Sequence, residues 1–254
     1  MRSRSLGDAR IPPRYKTADF EGFRTDSDLL VRAVQKCRAF VEAFPVVDKG
    51  LLFIGIPGDG KTHLAVAVLR AVIEKTGAHG LFYDVRALLK VIRDTYNPAV
   101  RTTELDVIKP VLTAELLVLD DLGAEKTSDW VDETLNLIVN TRYNERRTTI
   151  FTTNYREGEV DEKSRAEVLV ERVGQRIHSR LHEMCDFVLM PEVDYRKVGD
   201  EATPEKLDRL AKHGSKTAEQ GLPARGKAVR AQLREPAGRD GKADLKWPGG
   251  RAGS

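Results

Sequence analysis

The stretch GIPGDGKTHLA, Gly55–Ala65, decides the fold. Its first eight residues fit the pattern G-x-x-x-x-G-K-[ST], whose glycines let a loop wrap around a phosphate and point backbone N–H groups at it. The apolar run GLLFIG precedes the loop, and a helical pattern over 61–75 follows it. Because strand, loop and helix in this order are the context that the pattern requires, the stretch predicts a nucleotide-binding α/β fold rather than a chance glycine-rich turn.

The loop supplies the first set of candidate site residues. We expect the nucleotide to be ATP, with Lys61 reaching its β- and γ-phosphates and the Thr62 hydroxyl binding Mg²⁺. The positive end of the helix that begins near Lys61 adds to the attraction for phosphate. The predicted nucleotide contacts are Pro57, Gly58, Asp59, Gly60, Lys61, Thr62 and His63.

Two further strand ends carry polar side chains. The run LLVLDDLG, 116–123, delivers Asp120 and Asp121 at the carboxyl end of a buried strand, where parallel sheets bind their ligands. Asp120 is the second predicted Mg²⁺ ligand, and Asp121 is predicted to orient the attacking water. Asn154 ends the run IFTTN and is a candidate for a hydrogen bond to the γ-phosphate or that water, although asparagine is also an ordinary turn residue.

The rest of the chain alternates helical and strand patterns. Helices are predicted over 28–44, 61–75, 86–95, 102–114, 129–146 and 165–184, with Ser128 as an N-cap and Pro45 ending the first. Apolar strands are predicted at 50–55, 80–85, 115–121, 147–154 and 186–190. This alternation favours a mostly parallel sheet that helices cover on both faces.

The helix pattern over 165–184 carries two arginines and two histidines. Arg176 and Arg180 are four residues apart and share a helix face, which suits either an ion-paired surface or arginine fingers that reach a neighbouring subunit's ATP. His178 and His182 have the same spacing. Since the sequence shows no carboxylate or cysteine cluster beside them, we do not predict a metal site there.

These motifs, in this order, resemble the DnaC/IstB-like family of AAA+ ATPases. The resemblance covers about 11–197, and it rests on IPPRYKTADFEGF, GIPGDGKTHLA, LLVLDDLGAEKTSDW, NLIVNTRYNERRTTIFTTN, VGQRIHSRLHEMC and DYRK. It implies a five-stranded parallel sheet without the small helical lid of other AAA+ proteins. It also implies that Arg180 is an arginine finger acting in trans, that Arg176 is the secondary candidate, and that Asn154 is the sensor asparagine.

The resemblance also implies partners. Proteins of this kind load the replicative helicase onto DNA or assist a transposase as an ATP-dependent oligomer. The segment 86–114 corresponds to the part of the family that contacts single-stranded DNA, and here it offers Lys90, Arg93, Arg101, Lys109 and, for stacking, Tyr96. Helicase loaders usually carry a separate N-terminal domain before IPPRY, which here begins at residue 11. We therefore expect the arm or the tail to replace that domain, or the chain to serve another client.

Composition sets the domain boundaries and the compartment. Residues 1–24 hold six Lys/Arg against three Asp/Glu and are predicted to be a basic N-terminal arm, followed by an ATPase domain over 25–197. Residues 198–254 are predicted to be a disordered basic tail, because 195–254 hold fourteen Lys/Arg against eight Asp/Glu and few apolar residues. The distant Cys37 and Cys185 and the absence of a long apolar run favour a cytoplasmic protein with no membrane partner.

Three readings besides the helicase loader stay open on the sequence. The first is a transposition helper with the same chemistry and a different client. The second is a small-molecule kinase, although such kinases usually need an arginine-rich lid and an acceptor pocket. The third is an adaptor that binds ATP without hydrolysing it, against which the set of Lys61, Asp120, Asp121, Asn154 and Arg180 argues.

Overall fold

A five-stranded parallel sheet forms the centre of the fold, as the sequence predicts. The computed structural model describes residues 6–158 and 167–198. The strands are β1 (Gly50–Ile54), β2 (Gly80–Asp84), β3 (Leu116–Asp120), β4 (Thr148–Thr153) and β5 (Cys185–Leu189). Their order is β2-β3-β4-β1-β5, and all neighbours are parallel. Strand β4 therefore separates the strand before the phosphate loop from the strand that ends in Asp120.

Seven helices of the described residues connect and extend these strands. They are α1 (Asp28–Ala43), α2 (Lys61–Thr76), α3 (Val85–Asp94), α4 (Glu104–Thr113), α5 (Asp129–Asn144), α6 (Leu169–Met184) and α7 (Tyr195–Val198). The bounds of α1 to α5 lie close to the predicted ones, α6 begins later and contains a kink at Gly174 with φ 76°, and α7 was not predicted. Ser128 caps α5 as predicted, because its hydroxyl accepts a hydrogen bond from Val131 N at 3.4 Å.

Alternating side chains of the strands fill two apolar layers. Leu51 and Phe53 of β1 face α1 and α2, whereas Leu52 and Ile54 belong to the opposite layer with α3, α4, α5 and α6. A strand whose two faces are both buried reads as a continuous apolar run, which is why GLLFIG lacks polar alternation. The prediction of helices on both faces is confirmed.

Arg142 is a buried cation in α5 that the sequence reasoning did not single out. Its guanidinium donates to the carbonyl oxygens of Val111, Leu112 and Ala114 at 2.8, 3.2 and 3.0 Å. It also donates to Thr148 O at 2.6 Å and Thr149 Oγ1 at 2.9 Å. One side chain thus satisfies the carbonyls at the end of α4 and fixes the start of β4. Its burial lowers the pKa of Arg142 to about 9.

The segment before α1 packs on the domain from residue 6 onward. Ala9 and Ala18 are buried, Phe82 N donates to Ala9 O at 2.8 Å, and Arg70 Nη1 donates to Ala18 O at 2.7 Å. The part of the predicted arm that the structure describes is therefore tied to the edge of β2 and to α2. The predicted tail, from 199 on, lies outside the described residues.

Beyond β5 the described chain contains the single-turn helix α7 and no helical lid. None of the helices within 6–158 and 167–198 combines the length and the apolar character needed to cross a membrane. Cys37 and Cys185 are both buried and unpaired with each other.

Candidate nucleotide site

The carboxyl ends of β1, β3 and β4 open into one cavity of about 370 Å³. It brings together every residue predicted to contact nucleotide or metal, and three that were not predicted. Its lining is Arg14, Tyr15, Pro57, Gly58, Asp59, Gly60, Lys61, Thr62, His63, Asp120, Asp121, Asn154 and Arg196. The two candidate finger residues, Arg176 and Arg180, do not line it.

The phosphate loop holds Lys61 in a buried set of hydrogen bonds. The Lys61 ammonium donates to the carbonyl oxygens of Gly55 at 3.0 Å and Ile56 at 2.6 Å. It also lies 2.9 Å from Asp59 Oδ1, and 4% of the Lys61 side chain and 1% of the Asp59 side chain are exposed. Burial raises the pKa of the Asp59 carboxyl and lowers that of the Lys61 ammonium, while their mutual attraction opposes both shifts.

Two glycines of the loop occupy positions that other residues would strain. Gly58 and Gly60 have φ of 94° and 98°, in the left-handed region. A Cβ atom on Gly58 would lie 1.9 Å from Asp194 Oδ1, and one on Gly60 would lie 2.7 Å from the Phe23 ring. The loop is therefore packed between the segment before α1 and the segment after β5, with Tyr195 N donating to Gly58 O at 3.1 Å.

Asp120 lies where a metal ion beside the phosphates would need a ligand. Its Oδ1 accepts hydrogen bonds from Thr62 Oγ1 at 2.9 Å and from Thr152 Oγ1 at 2.7 Å. Burial raises the pKa of Asp120 to about 6, and the two hydroxyl donors limit the rise. A hydroxyl and a carboxylate are oxygen ligands of the kind Mg²⁺ prefers, so the two predicted metal ligands fit that ion.

Asp121 and Asn154 contact each other at the edge of the cavity. Asn154 Nδ2 donates to Asp121 Oδ1 at 3.0 Å, and Arg86 Nη2 lies 3.7 Å from Asp121 Oδ2. Asp121 N donates to Thr152 Oγ1 at 2.9 Å, although Asp121 has an unfavourable φ of 60°. The same threonine thus fixes both aspartates, which makes Thr152 a positioning residue that sequence reasoning missed.

Three lining residues come from outside the predicted strand ends. Arg14 and Tyr15 follow Pro13 in a short 3₁₀ turn, and Arg196 lies in α7. His63 Nε2 lies 2.8 Å from Asp19 O, so the predicted nucleotide contact at His63 also joins the loop to the N-terminal segment. The motifs IPPRY and DYRK contain Arg14, Tyr15 and Arg196, but the sequence did not predict that these residues meet at the phosphate loop.

The described structure and the sequence agree with a known family. A family model described as IstB-like ATP binding protein matches residues 2–203. The chain belongs to this family. The IstB-like family consists of AAA+ ATPases, so the expected ligand, ATP, and the expected fold class are both confirmed.

The relatives of this IstB-like protein include a replication factor. The replicative helicase loader DnaC of Escherichia coli strain K12 is 27% identical over 178 residues, which are 70% of this chain and 68% of that protein. A crystal structure of the DnaC helicase loader is 37% identical, covers 70% of this chain and 99% of that chain, and superposes with a TM-score of 0.61. The crystal structure of DnaI, at 23% identity and a TM-score of 0.57, supports the fold alone.

The arginine pair of this IstB-like protein lies on α6, outside the chain's own cavity. Arg176 is exposed. Arg180 Nη1 donates to Arg176 O at 3.0 Å, and the Arg180 guanidinium lies 5.8 Å from the centre of the Tyr143 ring. Arg180 Nε is buried without a hydrogen-bond partner. Within the described residues, neither arginine forms an ion pair with a carboxylate. The structure therefore does not support the interpretation of these arginines as an ion-paired surface.

The interpretation that no carboxylate supports a metal site at His178 and His182 was wrong. Glu157, from the loop after β4, lies 2.6 Å from His178 Nε2 and 3.1 Å from His182 Nε2 through its Oε1. The sequence could not reveal this contact because Glu157 is more than twenty residues away and reaches the helix only through the fold.

The candidate DNA residues form an exposed surface at α3 and α4. Lys90, Arg93, Tyr96, Arg101 and Lys109 are all exposed. The Arg93 guanidinium lies 4.6 Å from the centre of the Trp130 ring, and Trp130 Nε1 donates to Tyr96 Oη at 3.2 Å. Trp130, at the start of α5, thus joins the predicted stacking residue and a predicted basic residue.

Proposed function

We propose that this chain hydrolyses ATP with Mg²⁺ and uses the cycle to load a replicative helicase onto DNA. The observation that carries the proposal is the meeting of Lys61, Asp120, Asp121 and Asn154 at one cavity. The 37% identity to the crystal structure of the DnaC helicase loader supports the choice of client. We propose that the chain performs this role in the cytoplasm, as expected from the sequence.

Binding begins at the phosphate loop. The loop N–H groups and the amino end of α2 attract the phosphates, and Lys61 exchanges Asp59 for the β- and γ-phosphate oxygens. Thr62 and Asp120 would hold Mg²⁺, which when bound neutralises phosphate charge. His63, Pro57 and Gly58 complete the wall of the cavity, and Arg14, Tyr15 and Arg196 are positioned to contact the remainder of the nucleotide.

Hydrolysis needs a water molecule held in line with the γ-phosphate. Asp121 accepts the water's hydrogen bond and polarises it, and Asn154 fixes both the carboxylate and the water. Their mutual hydrogen bond of 3.0 Å holds the two side chains next to each other. A small-molecule kinase would instead require an acceptor pocket, and the described cavity ends in these two water-orienting side chains.

A neighbouring subunit supplies the remaining positive charge. Arg180, with Arg176 as the second candidate, reaches the γ-phosphate in an adjacent subunit, so hydrolysis depends on self-association. A finger supplied in trans is worth roughly 10³–10⁵ in rate. Single-stranded DNA contacts Lys90, Arg93, Arg101 and Lys109 through its phosphates and stacks a base on the Tyr96 and Trp130 pair.

The client is tested by capture from the native cell extract. The bait is the Asp121→Asn chain with ATP, which binds nucleotide and does not hydrolyse it. The matched control is Lys61→Ala, which does not bind ATP. ATP-dependent recovery of the replicative helicase supports the proposal. Recovery of a transposase would move the same ATPase to the IstB-like transposition role, and equal recovery by bait and control would contradict an ATP-gated client.

A further inference from the structure

Glu157, His178 and His182 converge at a point outside the nucleotide cavity. The Glu157 carboxylate comes from the loop after β4, and both imidazoles come from α6. One oxygen, Oε1, lies 2.6 Å from His178 Nε2 and 3.1 Å from His182 Nε2. One ligand atom from each side chain lies within 4.8 Å of the other two. None of the three residues lines the nucleotide cavity.

The backbone holds both halves of this cluster in place. The two histidines are one helical turn apart, and their ring centres are 4.7 Å from each other. On the other side, Arg156 N donates to Glu167 O and Leu169 N donates to Arg156 O, both at 2.8 Å. These two bonds pin the residue before Glu157 to the start of α6. Backbone hydrogen bonds therefore already connect the loop that carries Glu157 to the helix that carries both histidines.

The surroundings further fix the orientation of His182. Its ring centre lies 4.6 Å from that of Phe187 on β5, and its carbonyl oxygen accepts a hydrogen bond from Lys49 Nζ at 2.9 Å. The side chains of Glu157 and His178 are 18% and 19% exposed and that of His182 is 45% exposed, so water reaches the cluster mainly at His182. Glu157 Oε2 is buried and has no hydrogen-bond partner among the described residues. The second carboxylate oxygen is thus left over for a ligand.

We propose that Glu157, His178 and His182 bind a divalent transition-metal ion, Zn²⁺ above all. Bonds of about 2.0–2.2 Å in a tetrahedral site place neighbouring ligand atoms about 3.3 Å apart. The observed separations of 2.6 and 3.1 Å require small side-chain rotations to reach that value. Two imidazoles and one carboxylate leave the fourth position open to water or to a group of another subunit.

The ligand set distinguishes this ion from the one expected beside ATP. Imidazole nitrogens suit Zn²⁺, Co²⁺, Ni²⁺ and Cu²⁺, whereas Mg²⁺ takes oxygen ligands. Magnesium that accompanies the nucleotide therefore does not compete for this site. Cys37 and Cys185 are buried elsewhere in the fold and do not supply a thiolate to it.

A metal ion bound at this cluster would connect the nucleotide cavity with the helix that carries the candidate arginine fingers, two parts of the proposed ATPase mechanism. Glu157 follows Asn154 by three residues, and His178 lies between Arg176 and Arg180 on α6. A metal ion bound to both segments ties the end of β4, which contacts the nucleotide cavity, to the helix that carries the candidate fingers. The binding itself does not depend on that mechanism, since its three ligands are independent of the nucleotide.

Metal binding is measured on the untagged full-length chain without nucleotide, in excess Mg²⁺. We expect one Zn²⁺ per chain by calorimetry, and Co²⁺ to give the visible absorption of a four-coordinate site. Glu157→Gln, His178→Ala and His182→Gln should each weaken Zn²⁺ binding at least about tenfold. The matched control, His79→Ala, removes a histidine that lies beside β2 and outside the cluster, and it should leave binding unchanged.

A second measurement separates lost ligands from lost folding. Relative to the same chain in EDTA, Zn²⁺ should raise the melting temperature of the wild-type chain more than that of any of the three variants. His182 is half exposed, so His182→Gln keeps the test valid if another variant unfolds. The proposal would be overturned if the wild-type chain did not bind Zn²⁺, or if the three variants bound it as tightly as the wild-type chain does. The cluster would then be a hydrogen-bonded group in which the Glu157 carboxylate contacts both imidazoles.

Discussion

The ammonium of Lys61 is paired with the carboxylate of Asp59, two residues earlier in the phosphate loop, at 2.9 Å to Oδ1 and 3.1 Å to Oδ2. Both side chains are buried. The residue that should bind phosphate is thus already neutralised within the loop, and nucleotide binding must exchange one anionic partner for another. This pair and the two carbonyl contacts of Lys61 satisfy the buried charge of the loop.

Lys61→Ala is expected to abolish ATP binding and also to destabilise the fold. Loss of the ammonium leaves the Asp59 carboxylate buried without its partner, and removing one member of a buried pair costs about 3 kcal/mol. Fluorescent-nucleotide titration measures the first effect, and urea denaturation measures the second. In the double variant with Asp59→Asn, stability should recover in part while ATP binding stays absent. Full ATP affinity in Lys61→Ala would contradict the site.

Asp59→Asn alone is expected to tighten ATP binding about tenfold. A hydrogen bond to a charged group contributes roughly 1.5–3 kcal/mol, and the amide holds Lys61 more weakly than the carboxylate does. The variant also removes a negative charge from beside the phosphates. Asp94→Asn, an exposed change of the same charge on α3, is the control for net charge. Equal affinities for the two variants would show that the Asp59 pair does not oppose binding.

Short-range patterns were enough to predict much of this fold and site. The phosphate loop and the apolar strands are read from neighbouring residues, and parallel strands place Asp120, Asp121 and Asn154 on the same edge of the sheet. The loop's internal pairing was not predicted, because G-x-x-x-x-G-K-[ST] leaves the position of Asp59 unspecified. Thr152 was missed because a threonine inside a strand is ordinary until its neighbour across the sheet is known.

Long-range contacts account for the rest. Arg142 has the pattern of one more polar residue of an amphipathic helix, yet it is fully buried against carbonyls of two other segments, the end of α4 and the start of β4. The N-terminal segment is basic and contains two consecutive prolines, which favours an arm, yet Ala9 and Ala18 are buried against the domain. The α4 carbonyls that Arg142 binds and the partners of Ala9 and Ala18 lie tens of residues away in the chain, where periodicity carries no information.

Arg142→Ala is expected to lower the free energy of unfolding by at least about 3 kcal/mol. The change leaves several buried carbonyl oxygens without donors, and each costs roughly 1–3 kcal/mol. Arg142→Lys should recover little, because an ammonium cannot reproduce the planar fork of the guanidinium. Urea denaturation of both is compared with that of Arg32→Ala, an exposed change on α1. If Arg142→Ala lowered the free energy of unfolding no more than Arg32→Ala does, water molecules would be donating to the carbonyl oxygens in place of the guanidinium.

The pKa of Asp120, about 6 against the usual 3.8, predicts a pH-dependent stability. Between these values the folded chain keeps the proton that the unfolded chain has lost. Unfolding free energy should therefore fall by about 2 kcal/mol as pH rises from 4 to 6, out of about 3 kcal/mol over the whole titration, since each pKa unit corresponds to about 1.4 kcal/mol. In magnesium-free buffer Asp120→Asn should lose this dependence and be more stable than wild type at pH 7.

Urea denaturation across that pH range, in EDTA, measures the difference between the two chains. Asp94→Asn serves as the exposed control and should follow the wild-type curve. Parallel curves for Asp120→Asn and wild type would mean that Asp120 titrates in the folded chain as it does in the unfolded one.

Arg180→Ala is expected to leave ATP affinity unchanged and to reduce DNA-stimulated hydrolysis by roughly 10³-fold or more. The reason is geometric: Arg180 does not line its own chain's cavity, and we propose that it acts on a neighbour's nucleotide. Mixing Arg180→Ala with Lys61→Ala subunits restores a junction at which an intact site meets an intact finger. Phosphate release from that mixture should exceed the sum of the separate variants. A mixture no more active than its components would argue against a finger in trans, and the same series with Arg176→Ala shows which arginine performs the role.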